Sequence, residues 1–204
     1  MTGLTIAIEA LPHDADFRPL ASLPQVQVDL RYAGPHNLLG RDLYSPHDCA
    51  WLHAEAAAAL DAASQALATR QPGLRLCVLD ACRPQRVQEA IWVDVAGTPM
   101  QEYFANPERG SIHSYGMAVD VTLQDARGRE LDMGSGFDEM SLRSHPALEA
   151  QQLAEGAITP AHVAARELLR GAMSAGGFQG IPTEWWHFNC GDPERIRKEL
   201  PRVE

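Results

Sequence analysis

Cysteine, positive charge and long apolar runs are all scarce in this 204-residue chain. Four cysteines, Cys49, Cys77, Cys82 and Cys190, are too sparse for a disulfide-stapled scaffold and have no zinc-knuckle spacing. They read as reduced, mostly buried thiols of a cytoplasmic protein; Cys82 adjoins Arg83, but a structural role is favoured over a reactive one. Lysine and arginine number 17 against 27 acidic residues, a formal charge of −10. Nucleic acid, whose binding needs clustered cations, is thereby excluded as a partner, and so is an anionic membrane surface. A small zwitterion is not, because a site can hold local charge against the net sign. No apolar run reaches the length of a membrane span, and residues 1–6 lack the basic and apolar regions of a secretory signal. Repeats, low-complexity segments and a linker to a second domain are absent too. Met133–Asp138 is glycine-rich, but no Gly-Lys-Ser/Thr follows, so it is not a phosphate loop. Nothing in the chain indicates an oligomeric state.

What remains is a composition, 45% hydrophobic and 22% charged, that suits one soluble domain with a core of its own. Residues 1–24 mix short apolar pieces with Pro12, Pro19 and Pro24 and predict an extended arm, leaving 25–204 as the functional domain. Alternation at Val26, Val28 and Leu30 predicts a strand, followed by a loop with Gly34-Pro35, Asn37 and Gly40. Ser45-Pro46 predicts the start of a helix over 47–70, with Leu52, Ala56, Ala59, Ala63 and Leu67 on one stripe and His47 and His53 at the surface. A strand over 74–79 and a helix over 84–96 follow, then a long loop to Gly110 that suits a lid. Residues 117–123 read as a strand that turns at 124–129 and returns as a hairpin through 130–132. Thr159-Pro160 opens a helix that Gly176-Gly177 stops. Two short strands over 178–181 and 184–189 precede a charged amphipathic helix over 193–200 with a frayed end. The pattern is α+β: a single domain with a central, mostly antiparallel β-sheet flanked by helices.

The chemistry gathers in Ser111–Asp120 and in Glu184-Trp185-Trp186-His187. A hydrolytic zinc site takes three nitrogen or oxygen ligands and keeps one position for water. His113, Asp120 and His187 meet that count, and Glu184 is left over for proton transfer. Asp120 is a lone carboxylate in an apolar strand and needs a partner. A metal, an arginine or backbone amides would each serve, and the spacing of His113 and Asp120 does not choose. Residues three apart on a strand face opposite ways, so Glu184 either precedes the regular strand or is re-aimed by a bulge. Arg83 stands where a strand end meets a helix start, a place from which a cation can meet a developing oxyanion. A salt bridge to Asp80 is the plainer alternative. Tyr32 can be a packed aromatic, Asp138 can cap a turn, and His145 is a rival ligand by type alone.

The pattern Ser-x-His-x-x-Gly-x-Ala-x-Asp, with Glu-Trp-Trp-His far downstream, resembles the zinc D-alanyl-D-alanine dipeptidases of the vancomycin-resistance type. These stand within a wider group of zinc peptidases that includes D-Ala-D-Ala carboxypeptidases. The resemblance runs from about Val28 to Phe188 and takes in Asp29–Ala33, Asn37, Gly40, Asp80 with Arg83-Pro84, Met133–Ser135 and Phe137-Asp138. It implies the same α+β fold and one Zn²⁺ per chain on His113, Asp120 and His187. Glu184 would be the base and Arg83 the catalytic arginine, steadied from behind by Asp80. Tyr32, Asp80, Ser111 and Asp138 would bind substrate, the dipeptide D-Ala-D-Ala cleaved to D-alanine. A D,D- or L,D-carboxypeptidase of the same group is the alternative, and a zinc-binding module without turnover is another, which the presence of both Glu184 and Arg83 opposes. Two positions depart from the family pattern. Ala81-Cys82 stands where relatives carry Gly-Tyr, and Tyr115 where they carry Arg, which bears on substrate preference rather than on the metal. Breakdown of cell-wall dipeptide and depletion of that precursor are equally open as purposes.

Overall fold

A computed structural model describes residues 4–204. In chain order the strands are β1 (Thr5–Ile6), β2 (Phe17–Pro19), β3 (Val26–Val28), β4 (Trp51–His53), β5 (Arg75–Asp80), β6 (Ala118–Gln124), β7 (Phe178–Gly180), β8 (His187–Cys190) and β9 (Arg202–Val203). The α-helices are α1 (Ala54–Arg70), α2 (Gln85–Val95), α3 (Glu149–Ala154), α4 (Pro160–Ala175) and α5 (Pro193–Glu199). Five strands form the central sheet in the order β3-β5-β6-β8-β7. Only β3 and β5 run parallel; the other pairings are antiparallel, so the sheet is mixed. A parallel pair needs a long crossover, and the stretch containing α1 supplies it.

The middle strands are buried on both faces, which is why Leu76–Leu79 and Ala118–Leu123 read as nearly unbroken apolar runs. Leu76 and Val78 pair with Leu123 and Val121 and pack with Leu60 and Leu169 from α1 and α4. On the opposite face lies a second core, with Tyr32, Tyr44, Cys82 and Ile91. Register places the polar residues. Asp120 pairs with His187 on β8 and with Asp80 on β5. The second pairing depends on a bulge between Val78 and Asp80. Regular antiparallel pairing would set Leu79 opposite Asp120 and turn Asp80 toward the helices; the extra residue brings Asp80 to the face that Asp120 shares.

Several boundaries differ from those the sequence predicts. The helix expected from residue 47 begins at Ala54, where His53 Nδ1 accepts the Glu55 amide at 3.3 Å. Upstream, Asp48 accepts from Ala50 N at 2.9 Å and Trp51 Nε1 at 3.2 Å, local bonds that compete with helix. Residues 51–53 instead pair with β2. His53 is therefore buried against Phe17 rather than at the surface, and His47 pairs with Glu9 at 2.9 Å. After β6 the hairpin return is reduced to one bridge, Gln124 to Glu130. The chain end is not frayed: Arg202–Val203 pairs in parallel with β1, and Val203 is fully buried. Residues 4–24 pass through two short 3-10 stretches along the body and bury Ile8, Leu11, Phe17 and Leu20. Where α4 closes against α1, a side chain at Gly176 would place its Cβ 2.3 Å from the Ala59 carbonyl, so only glycine fits. Among the described residues no helix is long and apolar enough to cross a membrane.

Candidate metal and catalytic site

A cavity of about 390 Å³ opens over the β6–β8 pair. His113, Asp120, Glu184, His187 and Arg83 all line it. Asp120 and His187 arrive by strand register, and His113 by a 3-10 turn, Ile112–Tyr115, that Gly116 ends at φ +64°. A Cβ at Gly116 would lie 2.7 Å from the His53 amide nitrogen, which fixes the residue type as well as the bend.

Three electron-pair donors converge here. His113 Nε2 lies 3.1 Å from His187 Nδ1 and 3.3 Å from Asp120 Oδ1, and His187 Nδ1 lies 3.0 Å from the same oxygen. Tetrahedral zinc with bonds of about 2.0–2.1 Å sets its ligand atoms roughly 3.3 Å apart. Second partners fix the tautomers. His113 Nδ1 donates to the Ala81 carbonyl at 2.8 Å, and His187 Nε2 donates to Asn189 Oδ1 at 3.0 Å. With those nitrogens as the donors, a metal-ligating imidazole at either position turns its lone pair inward. Two imidazole lone pairs and a carboxylate oxygen then face one another with no proton between them, an arrangement that suits a bound cation. These three residues form a set able to hold a metal ion.

Glu184 lies three residues before β8 begins, so no bulge is needed to bring it into the same cavity as His187. Burial pushes its carboxyl up to about 8; His187 and Arg83 oppose the rise, and Asp120 and Asp138 add to it. Such a group can take and return a proton near neutral pH. Arg83 stands just before α2. Its Nε and Nη2 donate to Asp80 Oδ2 at 2.9 and 2.5 Å, and Nη1 donates to Gln88 Oε1 at 3.0 Å. Nη2 also lies 3.6 Å from Asp120 Oδ2. The other Asp80 oxygen accepts the Tyr44 hydroxyl and the Ala81 amide. The guanidinium is therefore locked before any substrate arrives.

Of the residues expected to touch substrate, Ser111 and Asp138 line the cavity, whereas Asp80 and Tyr32 are wholly buried and do not. Tyr32 packs beneath Arg83, whose guanidinium carbon is 5.0 Å from the ring centre. It acts on the cavity through two residues that line it, Arg83 and Asp138. Asp138 sits at φ +57°, accepts the Leu38 amide at 3.1 Å and is pushed by burial up to about 7. His145 stands apart from the metal set; its Nε2 meets the Tyr103 hydroxyl at 3.0 Å. Tyr115 packs in the core and does not line the cavity, and Cys82 is buried with its thiol pushed well up, so neither departure from the family pattern places a reactive group there. Neither Asn189 nor Gln88 is named from the sequence; two-residue strand spacing from His187 is the signal that points to the first, and a place one turn into α2 the one that points to the second. Tyr44 carried no such signal.

The family described as D-ala-D-ala dipeptidase, peptidase M15, matches residues 14–203. A D-alanyl-D-alanine dipeptidase of Escherichia coli is 41% identical over 165 residues, covering 81% of this chain and 79% of the relative. One from Synechocystis is 29% identical over 221 residues, covering 88% and 89%. Among solved structures, the LD-carboxypeptidase LdcB aligns with 90% of this chain and 71% of its own, at 15% identity and a TM-score of 0.43.

Proposed function

This chain belongs to the D-ala-D-ala dipeptidase family of peptidases, and from that premise we propose that it hydrolyses D-Ala-D-Ala to D-alanine with one Zn²⁺ held by His113, Asp120 and His187. The observation that carries the reading is the inward convergence of two tautomer-fixed imidazoles and one carboxylate within 3.0–3.3 Å, in the same cavity as a raised glutamate and a locked arginine. A zinc ion in such a set lowers the pKa of water and polarises the scissile carbonyl.

The chain's own groups do the rest. Glu184 takes the proton from the attacking water and delivers it to the leaving amine nitrogen. Arg83 meets the carbonyl oxygen as it gains charge, and because Asp80 and Gln88 already hold the guanidinium, little reorganisation accompanies that step. Asp138 receives the substrate ammonium, whose charge draws the carboxyl back to its ionised form. Ser111 offers its hydroxyl to the peptide. A purely structural metal site would need neither Glu184 nor Arg83 in the cavity. Four free cysteines, three of them buried, fit a cytoplasmic setting.

The test is hydrolysis of D-Ala-D-Ala by purified protein, beside a panel of L,D-dipeptides and longer peptides ending in D-Ala-D-Ala. The expected result is cleavage of the dipeptide, lost with a chelator and restored by zinc. A protein that binds no zinc would refute the reading, and cleavage confined to longer peptides would move it to a carboxypeptidase.

A further inference from the structure

The cavity wall carries both signs: Glu102, Asp120, Asp138 and Glu184 line it, and so do Arg83, Arg109 and Arg197. Glu184, Asp138, Asp120 and Arg83 act on one another's charges. Arg197 and Arg109 form a second cationic group, since Arg197 Nε donates to the carbonyl of Gly110, the residue after Arg109.

Neither arginine forms an ion pair among the described residues. Arg197 donates Nε to Gly110 O and Nη1 to Pro193 O, each at 3.2 Å, so its bonds go to neutral carbonyls. Burial and then the Arg109 charge push its guanidinium below its ordinary value, more than Tyr115, Glu194 and Asp192 restore. Acidic side chains are plentiful in a chain of net charge −10. Two like charges held together on a cavity wall without one are what an anion-binding end requires.

We propose that Arg109 and Arg197 form the subsite for the free terminal carboxylate of the substrate. The inference rests on the dipeptidase reading and deepens it. In a dipeptide the scissile amide lies between the ammonium and the carboxylate. Here Asp138 takes the ammonium and the arginine pair the carboxylate, in the same cavity as the donor set and Glu184. The pair thereby selects a free C-terminus next to the cleaved bond. Arg197 has a second duty, since its hold on Gly110 fixes the backbone that leads to Ser111 and His113.

The experiment compares D-Ala-D-Ala with its C-terminal amide, using zinc-loaded wild type, Arg109→Gln and Arg197→Gln. Wild type should favour the free acid. Each substitution should raise KM for the acid, by roughly tenfold or more for Arg197→Gln; for Arg109→Gln the acid should lose far more than the amide with kcat little changed, whereas Arg197→Gln also frees the Gly110 backbone and lowers cleavage of both compounds. Arg109 is exposed and makes no side-chain hydrogen bond within the described residues, so its variant separates charge from folding. For Arg109→Gln, equal losses on acid and amide, or no loss on either, would overturn the subsite while leaving the dipeptidase reading in place. Failure of wild type to cleave either compound would overturn both.

Discussion

Replacing Glu184 with glutamine should make the metal-free protein more stable, by an amount that grows with pH. The glutamate carboxyl is pushed from an ordinary 4.5 up to about 8, chiefly by burial. Between those values the native state binds the proton that the unfolded chain releases, so wild-type stability falls as pH rises through the window. At about 1.4 kcal/mol per unit, the penalty is about 1 kcal/mol near pH 5, about 3 near pH 7 and between 4 and 5 above pH 8. Glutamine cannot ionise and escapes it. Asp138 titrates nearby in both proteins and largely drops out of the difference. Urea unfolding of the two chelator-treated proteins across that pH range gives the comparison directly. In thermal melts about 3 kcal/mol corresponds to roughly 6–12 °C for a chain of this size. Added zinc should narrow the gap, because a cation favours the charged carboxyl, and the variant should lose turnover while keeping the metal. A stability gap that stays flat with pH, or a variant less stable than wild type above neutrality, would refute the buried-carboxyl account.

Two further outcomes follow from single atoms. Asn189→Ala removes the acceptor that holds the His187 Nε2 proton, and zinc affinity should fall by about 10–100-fold in competition with a chelating dye while the melt of the metal-free form is unchanged; an unaltered affinity would deny Asn189 its orienting role. Gly176→Ala forces a methyl to within 2.3 Å of the Ala59 carbonyl, and should destabilise the protein by about 1–3 kcal/mol as the α1–α4 crossing is pushed apart; a neutral result would mean that the crossing yields freely.

Where structure depends on neighbours in the chain, it was legible beforehand. α4 starts at Pro160 behind a Thr159 cap and ends at Gly176, because capping and closure are decided within a turn. Ser45-Pro46 carries the same start signal and misleads, because β4 finds a strand partner in β2 and no helix signal records that. The site divides along the same line. His113, Asp120, Glu184 and His187 can be named as a set by residue type and resemblance, yet the convergence of Asp120 and His187 across 67 positions comes from sheet register. The question of how Glu184 and His187 reach one cavity was posed by strand periodicity and answered only by where β8 begins. Arg109 and Arg197 stayed hidden among 17 cationic residues, since nothing local marks which of them face the interior.

The bulge in β5 adds one residue to that strand relative to β6, and so lets a single strand serve two unrelated demands. Before it, Leu76 and Val78 answer to the shape of the helices above them. After it, Asp80 and the residues leading to Arg83 answer to the polarity of the cavity below. Drift in the first part, such as a larger apolar residue matched by a smaller one on α1, leaves the second untouched. Straightening the bulge with every residue kept would do the reverse: the packing would survive, Leu79 would stand opposite Asp120 and Asp80 would turn away from the side that Asp120 shares. The chemistry of this sheet is in that sense a matter of counting, and the count is separable from the core.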